Sequence, residues 1–243
     1  MFLPNINSNS AETGFTLVEL MIALFVSALA MAAVISVYIA QSRSYSDQND
    51  IANIQQDLRG VLAVFPLEIR KAGCDPLETG IPGILSANVA AVQFTMDLRG
   101  STTNPNSADG DVNDSDEIIS YGFAGVADSD GDGIVDNGGA NWSGTASIGR
   151  ASGAGALQPL ADNIEAMEFN YILDSATSTT APTDLNRIRA IQISILARAA
   201  NPAKGFLHNR TYTTASGTVW TPPQDNFRRR LIVSNIQCRN MGY

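Results

Sequence analysis

From Leu20 to Ala40 the chain reads LMIALFVSALAMAAVISVYIA, an uncharged run in which Ser27 and Ser36 are the only clearly polar residues. Its 21 residues are enough to cross a bilayer as a helix, which takes about 20. A helix also satisfies its own backbone hydrogen bonds in lipid. The run is longer than the roughly 7–15 apolar residues of a secretory signal core. After Ala40 the chain turns polar but keeps a helical period. Ile51, Ile54, Leu58, Val61, Phe65, Ile69 and Ala72 recur at spacings of three and four, which predicts one apolar stripe on an amphipathic helix. Gly60 and Pro66 interrupt it, Pro66 predicts a kink, and Gly73 offers a C-terminal stop. Helical throughout, residues 15–72 would extend about 87 Å at 1.5 Å per residue.

Beyond Cys74 the period changes to that of strands. Val92, Phe94, Met96 and Leu98 alternate with other residues, and Glu117–Phe123 is a short apolar run. Ile164–Leu173 and Ile188–Ala197 are longer. In the latter, Ile191, Ile193, Ile195 and Ala197 share one face, with Gln192 and Ser194 on the other. Phe227–Cys238 reads as a last strand. Stretches rich in Gly, Ser, Asn and Thr at 101–116, 136–155 and 175–184 read as loops. The pattern is α+β, a long N-terminal helix followed by a sheet domain that covers its second half.

Charge divides the chain. Among its 243 residues the net charge is -9, which opposes nonspecific nucleic-acid binding. No Lys or Arg occurs from Gly100 to Gly149, while nine acids fall between Asp109 and Asp136. After Asn186 there are nine Lys or Arg and one acid, Asp225. The simplest expectation is that these regions lie together and neutralise each other. The consecutive Arg228, Arg229 and Arg230 would not form one patch, because alternation along a strand sends the middle one to the opposite face. The single histidine, His208, reads as a surface residue, and no Ser or Cys sits in a nucleophile motif. An enzyme is therefore not expected.

A polar leader ending in Gly precedes the apolar run, followed by Phe15-Thr16-Leu17-Val18-Glu19. A carboxylate at the edge of an apolar helix is costly and usually marks function. Gly14 to Glu19 closely resembles the prepilin processing motif, in which a membrane peptidase cuts after Gly and methylates the new N-terminus. The resemblance implies that residues 1–14 are a leader, that Phe15 is the mature N-terminus, and that Glu19 pairs with the terminal amine of a neighbouring subunit. The leader carries Glu12 and no Lys or Arg, so orientation rests on the motif and not on loop charge.

The resemblance sharpens downstream. Leu67-Glu68-Ile69-Arg70-Lys71-Ala72-Gly73, Asp116–Tyr121, Asp162–Phe169, Arg187–Ile191, Phe227–Arg230 and Arg239-Asn240 resemble the PilW family of minor pilins. Cys74 stands where that family more often has an aromatic residue. The family implies a pilin-like fold with residues 15–42 in membrane or filament core, 43–73 as the amphipathic half-helix, and 74–243 as the β-rich domain. It implies a structural subunit that helps initiate or cap a type IV pilus. Its partners would be other minor and major pilins, the prepilin peptidase, the inner-membrane assembly platform and, before assembly, the lipid bilayer. It would sit in the bacterial inner membrane with its domain in the periplasm, then on the pilus at the cell surface. A J-type minor pseudopilin of type II secretion shares the architecture, and a tip adhesin using the variable loops is compatible with it.

Two further chemistries are expected. Asp128, Asp130, Asp132 and Asp136 occupy positions 1, 3, 5 and 9 of an EF-hand-like loop, with Gly133 at position 6 and the Ile134 carbonyl at position 7. That spacing suits Ca²⁺, although Gly139 stands where a bidentate Glu would complete the site. The alternative is an acidic, Gly-rich turn. Asp109, Asp111, Asn113 and Glu117 form a weaker echo. Cys74 follows the helix and Cys238 ends the last candidate strand. Outside the cytoplasm a disulfide between them would staple the chain's end to the helix–sheet junction, the alternative being two buried free thiols.

Overall fold

The computed structural model describes residues 14–100, 107–125 and 127–242. The expected leader therefore lies, up to residue 13, outside the described residues, as do the first six residues of the loop expected at 101–116. The chain divides into two compact units, Met1–Ser46 and Asp47–Tyr243, and one helix, α1 (Leu17–Ile69), contributes to both. Pro66 lies inside that helix. Its end comes through tight turns, Lys71 N–H to Glu68 and Ala72 N–H to Ile69, followed by Gly73 at φ +74°. Only glycine enters that region without strain, and the Gly73 N–H is handed to the Thr95 carbonyl of the sheet domain.

Among the described residues ten strands follow: β1 (Ile84–Ala87), β2 (Val92–Thr95), β3 (Ile118–Ala124), β4 (Ala146–Ser152), β5 (Gln158–Leu173), β6 (Ser178–Thr179), β7 (Ile188–Arg198), β8 (Tyr212–Thr213), β9 (Val219–Trp220) and β10 (Arg229–Gln237). The main sheet is antiparallel in the order β1-β2-β3-β4-β5-β7-β10, with β6 also paired to β5, and β8 and β9 make a separate hairpin. β4 lies inside the stretch expected to be a loop. Its sequence, Ala-Ser-Ile-Gly-Arg-Ala-Ser, has one large apolar residue, and pairing on both sides, rather than propensity, makes it a strand.

The stripe on α1 meets one face of this sheet. Ile54, Leu58, Val61, Phe65, Ile69 and Ala72 are buried in one cluster with Phe94, Tyr121, Met167, Phe169 and the isoleucines of β7. Ile51, the first residue of the stripe as read from sequence, is exposed. Phe65 sits edge-on to Tyr121 at 4.8 Å and tilted on Phe169 at 5.6 Å. Each such side chain contributes about 1.5–3 kcal/mol on full burial. Gly60 permits the approach: a Cβ there would stand 3.1 Å from the Leu160 carbonyl. A polar clamp crosses this interface. Glu68 accepts from the Arg150 guanidinium at 2.7 Å and from the Tyr121 hydroxyl.

The opposite sheet face is covered too, which the alternation of Gln192 and Ser194 did not suggest. The β8–β9 hairpin lays Trp220 against Ala166 and Leu196, and Ser194 is fully buried, its hydroxyl accepting from the Ala215 N–H.

Candidate functional site

At the start of α1, Thr16 and Glu19 form a reciprocal cap. The Glu19 N–H donates to the Thr16 hydroxyl at 3.2 Å, while the Glu19 carboxylate accepts from the Thr16 N–H and hydroxyl, both at 2.9 Å. This is a capping box, which satisfies two donors that a helix start leaves open. Sequence reasoning singled out Glu19 for intersubunit pairing and passed over Thr16, although the spacing Thr-x-x-Glu carries the signal. Gly14 and Phe15 precede the helix, and Phe15 is 93% exposed.

From Leu17 through Ile39 the large apolar side chains of α1 are all exposed. The helix is long and apolar enough to cross a membrane, and none of its apolar window is buried within the chain. Ser27 and Ser36 return their hydroxyls to the carbonyls of Ala23 and Ala32, at 2.6 and 2.8 Å. That removes the two polar groups that lipid or a neighbouring apolar helix would reject.

The acidic loop draws three of its four expected carboxylates together. Ligand atoms of Asp128, Asp130 and Asp136 lie within 4.8 Å of one another. Asp132 is not in this group. Its oxygens accept from the Ile134 N–H at 2.7 Å and the Asn141 amide at 2.6 Å. Ile134 itself forms an isolated bridge with Ala166 of β5, and the Gly133 carbonyl accepts from the Met167 N–H, so the loop is anchored on the sheet. Gly133 has φ +86° and a Cβ there would strike the Met167 carbonyl at 2.3 Å. Burial pushes the Asp128 pKa above its ordinary value, aided by the nearby Asp132 and Asp130, against the N–H groups of Gly133 and Gly131. Asp136 is held below the usual carboxylate range, chiefly by the Ser129 hydroxyl and then the Gly138 N–H. These oxygens are hard ligands of the kind Ca²⁺ takes.

The late arginines do not neutralise this loop. Among the described residues, Arg187 and Arg189 pair with Asp174, Arg198 with Glu165, Arg228 with Asp47, and Arg229 with Glu165 and Asp225. Asp116 is met by Arg99. The Arg229 side chain is fully buried and Arg230 is exposed, as strand alternation requires. Burial works against the Arg229 charge, but hydrogen bonds to Asp225 and Glu165 outweigh it and raise its pKa further. His208 is buried here and not on the surface. Its ring stacks on Tyr212 at 5.8 Å and its Nε2 lies 3.0 Å from the Arg210 carbonyl. Burial, then the Arg229 charge, push its pKa down.

The two cysteines are free thiols and the expected disulfide is absent. Both join the same core cluster near the end of α1, Cys238 fully and Cys74 at its margin. Non-covalent contacts tie the chain's end there instead: the Asn240 amide donates to the carbonyls of Arg70 and Lys71, each at 3.3 Å. Burial pushes the Cys238 thiol up to about 12, which disfavours the thiolate needed for exchange.

An uncovered apolar helix thus stands behind a Gly-Phe-Thr-Leu-Val-Glu start and runs into an antiparallel sheet domain. Residues 9–35 match the prokaryotic N-terminal methylation motif. More particularly, residues 140–240 match the family of type IV pilus-assembly protein W. Among solved structures, a type IV-like pilin from Thermus thermophilus is similar at 14% identity and a TM-score of 0.45, over 78% of this chain and 98% of that one. Comparison with curated proteins gives no match. The families matched are structural pilins, and the apolar helix with its processing motif fits a membrane-anchored one.

Proposed function

We propose that this chain is a minor pilin, a structural subunit that helps initiate or cap a type IV pilus. The observation that carries the reading is the apolar face from Leu17 to Ile39, exposed in its entirety and set directly behind the processing motif. Exposed apolar surface of this extent marks an interaction with membrane or protein. Before assembly the bilayer covers it, with the sheet domain in the periplasm. After assembly the equivalent helices of other pilins do, and the domain reaches the cell surface. Cleavage after Gly14 frees the Phe15 amine. Glu19 then offers a carboxylate to the amine of a neighbour, a register device in a core where an unpaired charge is strongly unfavourable. The experiment is to express Gly14→Val beside wild type and examine sheared filaments. Wild type should be present in low amount and the variant absent. Equal recovery of both would remove the reading.

A calcium-ordered loop is a second part of the proposal, favoured by the convergence of Asp128, Asp130 and Asp136. In this reading Asp132 and the Ile134 carbonyl join on binding, and water replaces the missing position-12 ligand. Affinity would be weak, about 10⁻⁴–10⁻³ M as in extracellular modules.

A further inference from the structure

The main sheet ends in two unlike edges. β1 is four residues long and bulged between Ile84 and Ser86. Short length and a bulge are the usual ways of blunting an edge. β10 has nine residues, paired to β7 in unbroken register from Arg229↔Arg198 to Gln237↔Ala190, and spans about 30 Å at the usual strand rise.

The hydrogen-bond phase of β10 follows from its two ends. The Ala199 N–H donates to the Arg228 carbonyl, and the Cys238 N–H donates to the Arg189 carbonyl. Positions 228 and 238 are therefore hydrogen-bonded pairs with the β7 side, and with no bulge between them so are the other even positions. The odd positions, 229, 231, 233, 235 and 237, turn their N–H and C=O groups away from the sheet. Position 229 is partly used, since its carbonyl accepts from the Tyr212 hydroxyl at 3.3 Å. From Leu231 to Gln237, among the described residues, the outward groups have no protein partner. On one face of the strand Val233 is 48% exposed, and Asn235 and Gln237 are exposed.

The side-chain charge carried by β10 and the residues after it has one sign. From Asn226 to the end of the sequence there is no Asp or Glu. Arg230 at the start of the strand and Arg239 just past its end are both exposed. Arg229 is consumed internally, and Arg228 is turned to Asp47 and the Phe206 ring. An added strand would find backbone partners along its length, an apolar neighbour at Val233, and a guanidinium at each end.

The geometry points to the β10 edge as the docking site for one extended, acid-bearing strand of a neighbouring pilin subunit. Strand addition to a sheet edge gains affinity from main-chain hydrogen bonds and specificity from alternate side chains. The inference rests on the pilin reading, because it takes its partner from within the filament.

The phase of the ladder supplies the test. Proline at an odd position removes an outward N–H and leaves the β7–β10 ladder intact, whereas proline at an even position breaks the ladder. Val233→Pro and Asn235→Pro should leave the Tm of the purified protein near wild type. Their recovery in sheared filaments should fall about fivefold or more, the ratio expected from one lost hydrogen bond. Val233→Thr, which keeps the N–H, should assemble normally. Val233→Cys in otherwise cysteine-free full-length protein, crosslinked in intact filaments, should capture a strand peptide of another pilin with Asp or Glu close by. Normal assembly of both proline variants overturns the inference, as does a crosslink to a helix or no crosslink to any pilin. If a proline variant loses Tm, the crosslink decides alone. Wild type absent from filaments would instead defeat the pilin reading itself.

Discussion

Glu19 has two uses for one carboxylate. Within the chain it closes the capping box with Thr16, and in a filament it would face a neighbour's amine. The uses separate by substitution, because Gln serves at the third position of a capping box as Glu does. Glu19→Gln should therefore insert and be cleaved with normal helix content by circular dichroism, yet enter filaments as poorly as Glu19→Ala. Normal incorporation of Glu19→Gln would mean that the cap is the residue's whole role. The buried cluster around Glu165 makes a different prediction. Arg229→Ala leaves the fully buried Glu165 short of its main partner, at about 3–5 kcal/mol, read as a fall in the denaturant midpoint. His208 adds a pH dependence. Its pKa is lowered in the fold, so the unfolded chain binds the proton more tightly, and stability is complete above the ordinary value of 6.5 and lost as pH falls below it. Asp225, held low despite its burial by Arg229 and the Phe227 N–H, has the same sign in a lower window, losing its contribution as pH falls below 3.8. His208→Gln should flatten the Tm profile as pH falls below 6.5.

At the scale of elements, helical periodicity was the strongest signal. Six of the seven stripe residues from Ile51 to Ala72 are buried as the spacing requires. β2, β3, β5, β7 and β10 were readable because each carries alternating or continuous apolar residues matched to a core face. β4 was not, since its residues are small or polar and its strand character comes from its neighbours. Gly149 shows why small residues are needed there: a Cβ would stand 2.7 Å from the Leu157 Cβ and 3.2 Å from that of Ala124. Gly149→Ala should cost about 1–3 kcal/mol by overpacking, measurable by chemical denaturation, and an unchanged midpoint would show that the β4–β5 connection yields freely. The burial of His208 was hidden for a related reason. The 30 residues between β7 and β10 look like a polar loop, and only tertiary contact reveals that they seal the outer sheet face. Among the described residues, five of the late arginines (Arg187, Arg189, Arg198, Arg228 and Arg229) pair with Asp47, Glu165, Asp174 and Asp225 and not with the acidic stretch.

For the whole molecule, the acidic loop and the apolar helix each leave something unsatisfied that the environment can supply. Raising the Asp128 pKa means that, without a cation, stability falls as pH rises from 3.8 through the raised value. Calcium should reverse that slope. At ten times the dissociation constant it should add about 1.4 kcal/mol, seen as a higher Tm and as protection of residues 127–139 from proteolysis. Asp128→Asn with Asp130→Asn should abolish both effects, and indifference of the wild-type protein to millimolar calcium would leave only an anchored acidic turn. The helix makes the larger demand, which membrane or neighbouring helices must meet. Mass spectrometry of the N-terminal peptide from assembled protein tests this most directly. The expected result is a chain beginning at N-methylated Phe15, cut after Gly14. An intact Met1 terminus on assembled subunits would contradict it.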